Sequence, residues 1–114
     1  MNLVDSSGWL EYFAGSRNAQ IFAPAIENTE ELIVSTINIY EIFKKILTER
    51  DETSALEAVG VMQQAKVIDV NLSISIQAAI LSRQYKLPMA DSLIYTTAIQ
   101  NDAMLWTQTA TSKI

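Results

Sequence analysis

Four short apolar runs alternate with longer stretches whose apolar residues recur at helical spacing. This alternation limits the fold more than any other feature of the chain. The runs are Asn2 to Asp5, Leu32 to Ser35, Lys66 to Val70 and Ala103 to Thr107. Each has the length of a strand, and the first three lead through turn or cap residues into period-3.6 patterns. Two parallel strands need a long crossover between them, which a helix supplies. Strands alternating with helices therefore predict a three-layer α/β/α fold around a central, mostly parallel sheet of four strands, or five with one more at the C-terminus. At 114 residues and 49 % hydrophobic composition, one domain with its own core is expected over residues 1–114.

The helices are read from caps and stripes. Trp9 to Phe13 reads as a short helix stopped at Gly15, and Asn18 to Phe22 as another ended near Pro24. Asn38 looks like an N-cap with Glu41 as its capping-box partner. Behind it lie Ile39, Ile42, Phe43, Ile46 and Leu47, a stripe running to about Arg50. Ser54 and Glu57 make a second capping-box pattern, for a helix to about Gln64. Asn71 caps a helix from Leu72 to about Tyr85 that is apolar on nearly all sides up to Leu81. Such a helix is deeply buried or shared with another chain. A last helix follows Pro88, from Met89 or Ala90 to about Asn101.

The chain has no histidine and no cysteine. Without imidazole or thiol, Ser-His and Cys-His catalysis and the usual zinc ligand sets are excluded. Any catalysis must rest on carboxylates, hydroxyls, lysines and a bound cation, and oxygen-only ligands favour Mg²⁺ or Mn²⁺. The net charge of −5 excludes a broad basic nucleic-acid surface, so a polyanion would need a local basic patch and metal ions. No apolar run approaches the ~18 residues of a membrane span, and the N-terminus lacks signal-peptide character. The expectation is a cytoplasmic protein.

Three acids fall at equivalent places in this pattern. Asp5 ends the first strand, Glu41 lies near the start of the helix after the second, and Asp91 heads the helix after Pro88. Junctions at one edge of an open parallel sheet are where ligands bind. Clustered carboxylates repel one another, so three there call for a cation, and the chemistry that follows is phosphate-ester hydrolysis. Each acid also has a structural reading. Asp5 can cap the helix after it, Glu41 can be the capping-box partner of Asn38, and Asp91 can cap its own helix. Asp91 is the hardest to read so, because it shares a face with Ile94, Tyr95 and Ala98 that should pack inward. Ser7 and Thr107 lie on the same rim and could contact a phosphate or water. Lys45, with Lys44, Arg50, Arg83 and Lys86, could meet a polyanion, although turns, strand ends and solvated helix faces explain such residues more often.

The words around these acids resemble a known family. Asn2 to Phe13 (NLVDSSGWLEYF), Thr36 to Lys45 (TINIYEIFKK), Leu87 to Tyr95 (LPMADSLIY) and Leu105 to Gln108 (LWTQ) resemble, in order, PIN-domain ribonucleases. The likeness is strongest to VapC-type toxins of toxin–antitoxin pairs. It implies Mg²⁺- or Mn²⁺-dependent RNA cleavage with Asp5, Glu41 and Asp91 as metal ligands. It also implies a VapB-type antitoxin whose C-terminal segment fills the active-site groove, and a homodimer paired through helices. After Leu105 to Gln108 the family has an aspartate, often a second, and a final strand. Here Thr109, Ala110, Thr111 and Ser112 stand there, so a fourth acid is missing, and the usual last loop and strand are expected to be absent or stunted. An alternative is a catalytically impaired PIN-fold module that binds proteins without cutting. A phosphoacceptor receiver domain also gathers acids at strand ends, but no adjacent acid precedes Asp5 and no lysine-bearing fifth strand follows Thr107.

Overall fold

The computed structural model of the chain describes residues 1–107. The positions expected to lack an acid, Thr109 to Ser112, lie outside the described residues, as would a fifth strand. Strand β1 (Asn2–Val4) leads into α1 (Ser6–Ala14) and α2 (Ala19–Glu27). A single 3-10 turn enters β2 (Leu32–Ser35), followed by α3 (Thr36–Glu49) and α4 (Glu52–Met62). Then come β3 (Lys66–Ile68), α5 (Leu72–Tyr85), α6 (Met89–Gln100) and β4 (Met104–Trp106). The sheet order is β3-β2-β1-β4, every pair is parallel, and Leu3 stands between Ile33 and Leu105.

The strand pleat divides the core in two. Val4, Leu32 and Val34 face one layer with Trp9, Phe22, Ile42 and Met62, while Leu3 and Ile33 face the other with Ile94 and Ala98. Helices thus cover both faces, as a parallel sheet of apolar strands requires. The chain runs outward from β1 through β2 to β3, then crosses back to place β4 on the far side of β1. That reversal creates a switch point between β1 and β4, and Asp5 N–H closes it by donating to Trp106 O at 2.9 Å.

Several boundaries differ from the sequence reading. Helix α1 starts at Ser6, three residues before Trp9, because Asp5 caps it there. Helix α3 begins at Thr36 with Ser35 as its N-cap, and Asn38 is the capping-box partner rather than the cap. Glu41 therefore lies beyond the cap and has no capping duty. Helix α4 is capped by Asp51, whose carboxylate accepts from Ser54 N–H at 2.7 Å, so it starts ahead of Ser54 and Glu57. Helix α2 continues through Pro24 to Glu27. A proline inside a helix costs about 3 kcal/mol, and burial of Phe22, Ala25 and Ile26 offsets it at ~1.5–3 kcal/mol per large side chain.

Helix α1 lies close on the sheet because Gly8 has no side chain. A Cβ there would come within 2.5 Å of Val4 Cγ1 and 2.7 Å of Phe22 Cδ1. Gly15 ends the helix at φ 62°, a left-handed turn that glycine adopts without strain. Helix α5 is not deeply buried. Only Ile74 and Ala78 are buried, while Leu72, Ile76 and Ile80, one stripe at i, i+4 and i+8, are 77 %, 51 % and 54 % exposed.

Candidate active site

The residues at the C-terminal ends of β1 and β4 and on the first two turns of α1, α3 and α6 border one cleft of about 370 Å³. Asp5, Ser6, Ser7, Glu41, Asp91, Ile94, Tyr95 and Thr107 line it. All three predicted acids reach this cleft, as do Ser7 and Thr107. Lys45 does not line it. Its ammonium pairs with Glu49 at 2.8 Å, and it lines a second hollow of about 500 Å³ with Tyr40, Glu41 and Ser6.

Asp5 has two duties. Its Oδ1 accepts from Gly8 N–H at 3.0 Å, which caps α1, and from Ser7 Oγ at 2.7 Å. The capping reading of this residue is met, and both hydrogen bonds fall on Oδ1. The same two bonds fix the carboxylate's orientation.

Glu41 is held through a chain that the sequence did not reveal. Asn38 Oδ1 accepts from Ser35 N–H at 3.0 Å, Asn38 Nδ2 donates to Ser6 Oγ at 3.1 Å, and Ser6 Oγ donates to Glu41 Oε1 at 2.6 Å. Asn38 and Ser35 are fully buried, so this relay ties α1 to the start of α3 in low dielectric, where hydrogen bonds are strongest. The one available signal was spacing. Asn38 lies three residues before Glu41 on one helix face, and Ser6 follows Asp5.

Asp91 sits in the first turn of α6, whose N-cap Pro88 offers no side-chain cap. The helix dipole favours an anion there, yet burial, and then the charge of Asp5, raise the Asp91 carboxyl above its ordinary range. Both acids line the cleft, near enough for the charge of Asp5 to act on Asp91. The Tyr95 phenol, one turn further on, is raised by burial and then by Asp91 and Asp5. It stays protonated at any working pH.

Among the described residues, no three acids stand close enough together to share one ion. Glu41 lines the same cleft. Two oxygen ligands with the balance from water still suit Mg²⁺ or Mn²⁺, since Mg²⁺ takes one or two protein carboxylates and keeps several waters. Like charges in one cleft repel, and a cation would relieve that repulsion. The chemistry of the donor set thus fits a hydrated hard cation.

The PIN domain family model matches residues 3–108. No curated protein matches the chain in sequence. Among solved structures, a toxin–antitoxin complex from Klebsiella pneumoniae aligns at TM-score 0.77 and 21 % identity, over 92 % of this chain and 83 % of that one. VapC20 of Mycobacterium tuberculosis, a sarcin–ricin-loop-cleaving toxin, aligns at TM-score 0.74 and 14 % identity, over 90 % and 85 %. DNA-bound VapBC of Salmonella typhimurium aligns at TM-score 0.70 and 17 % identity, over 94 % and 86 %.

Proposed function

This chain belongs to the PIN domain family, and from that premise we propose that it is a metal-dependent endoribonuclease, the VapC-type toxin of a toxin–antitoxin pair acting in the cytosol. The pair Asp5 and Asp91 at the β1/β4 switch point carries the reading. When bound there, Mg²⁺ or Mn²⁺ supplies Lewis acidity and lowers the pKa of water in the cleft. Ser7 and Gly8 N–H hold Asp5 in the orientation that binding needs, so little is lost to ordering it. Glu41, fixed by Ser6, is placed to orient the attacking water and accept its proton. Thr107 and Ser7 border the space for the phosphate, and Lys45 lies in the adjoining hollow along which flanking nucleotides would run.

The test is incubation of the purified chain with end-labelled structured and single-stranded RNAs. Internal cleavage with Mn²⁺ that stops on chelation is the expected result. Intact RNA throughout would sink the proposal. It would favour the second reading, a non-cutting binding module, whose motive is the absence of an acid at Thr109 to Ser112.

Two partners follow from the same reading. The second hollow shares Leu10 with a third of about 420 Å³ between α1, α3 and α4, lined by Phe13, Ile46, Ala58 and Val61. This continuous path suits an antitoxin's C-terminal segment running toward the acidic cleft. Its sign would be suppression of the cleavage above by the co-expressed antitoxin, with cleavage undiminished in the complex as the contrary result. The Leu72–Ile76–Ile80 stripe suits a second copy of the chain. Light scattering should give a dimer that Ile76→Glu converts to monomer, and a monomeric wild type would exclude this interface.

A further inference from the structure

The acidic cleft has a supply problem that its carboxylates cannot solve. No lysine or arginine is among the described residues lining it, yet a phosphodiester entering it is an anion. A cation meets part of that charge, and the remaining phosphate oxygens need donors. The hydroxyls are the only side-chain donors among the lining residues, so their protons can be counted. Ser6 gives its proton to Glu41, and Ser7 gives its proton to Asp5. Thr107 is engaged as well. Tyr95 differs. Its ring packs against the Leu3–Ile33–Ile94 cluster and is held there, and its hydroxyl makes no hydrogen bond to any described residue.

We propose that Tyr95 is a catalytic residue of this site, donating its phenolic hydrogen bond to a non-bridging oxygen of the substrate phosphate. The inference rests on the nuclease reading for the reaction but on the cleft's own chemistry for the ligand class, a phosphate ester of a nucleotide. Three observations carry it. The residue lines the same cleft as Asp5 and Asp91. It sits four residues beyond Asp91 on α6, so it projects from the same helix face one turn deeper. It is a neutral donor among acids, and a lysine in its place would be drawn into an ion pair with them. A fixed donor in a partly desolvated site strengthens as charge develops on the phosphate, so its effect falls on turnover as well as binding.

The experiment compares wild type with Tyr95→Phe in three readings: RNA cleavage with Mn²⁺, calorimetric binding of Mn²⁺ alone, and binding of adenosine 5′-monophosphate in Mn²⁺. The variant keeps the ring and its packing, so the fold is retained. Cleavage should fall roughly 100-fold, mainly in kcat, and the nucleotide should bind roughly tenfold more weakly. Mn²⁺ affinity should be unchanged. Cleavage and nucleotide binding at wild-type levels would overturn the role of Tyr95 and leave the nuclease reading standing. Loss of Mn²⁺ affinity would overturn it too, by showing that Tyr95 arranges the acids. If the wild type cuts no RNA, the nuclease reading falls and nucleotide binding alone decides. Weaker binding by Tyr95→Phe would then support the phosphate contact, and equal or absent binding in both proteins would overturn it.

Discussion

Asp91→Asn is expected to lower RNA cleavage by roughly 10³-fold, the loss of several kcal/mol of charge stabilisation at the scissile phosphate. The protein should stay folded. Asn matches Asp in shape, and no hydrogen bond from a described residue to Asp91 is broken by the change. Without metal the variant should be slightly more stable than the wild type at neutral pH. The folded-state carboxyl is raised by burial and by Asp5. A raised acid contributes its stability below the ordinary carboxylate range and loses it as pH climbs from about 4 through the raised value. Asp91 is half-buried, so the gain should be small. Added Mn²⁺ should reverse the order, because only the wild type gains from binding. Asp91→Asn cleaving at the wild-type rate would remove Asp91 from the reaction.

The second large effect is on stability. Trp9→Ala should cost about 3–5 kcal/mol in urea unfolding, much of a total near 5–15 kcal/mol. Trp9 is fully buried, stacks on Phe13 at 5.6 Å and meets Tyr12 edge-on at 6.5 Å. It anchors α1 on the sheet beside Val4 and Phe22. Ser6, Ser7 and the Gly8 N–H that holds Asp5 all ride on that helix, so the site should be lost along with the packing. Trp9→Phe should cost much less. The indole Nε1 is buried with no hydrogen-bond partner among the described residues, and an orphaned donor carries a penalty of ~1–3 kcal/mol that phenylalanine removes. Equal costs for the two substitutions would contradict this account, because phenylalanine keeps most of the ring's packing and also removes the stranded N–H.

The sheet was legible because its strands are apolar runs with a period-2 division, as Leu32 and Val34 against Ile33 show. The order of the acids along the chain was legible for the same reason, since each sits just past an element boundary. Cap assignments were less so. Ser35-Thr36-Ile37-Asn38 contains several residues able to cap, and the sequence cannot say which turn of the helix is first. The structure chooses Ser35 because that residue ends a fully buried strand and its own backbone N–H needs Asn38 Oδ1 as acceptor. The relay from Asn38 through Ser6 to Glu41 joins residues 32 positions apart. No local pattern encodes that. For helix α5 the sequence left two outcomes, deep burial or a face shared with another chain, and the open Leu72 stripe removes the first. That no three acids among the described residues stand close enough to share one ion was likewise beyond sequence, because sharing a rim does not set distances within it.

The measurement that bears most directly on the central claim is a calorimetric titration of Mn²⁺ into the wild type, Asp5→Asn, Asp91→Asn and Glu41→Gln. If the Asp5–Asp91 pair is the cation site, the wild type binds near millimolar or tighter. Both aspartate variants then lose binding, and Glu41→Gln keeps most of it because Glu41 acts through water. Binding that survives in both aspartate variants, or no binding in the wild type, would contradict the assignment.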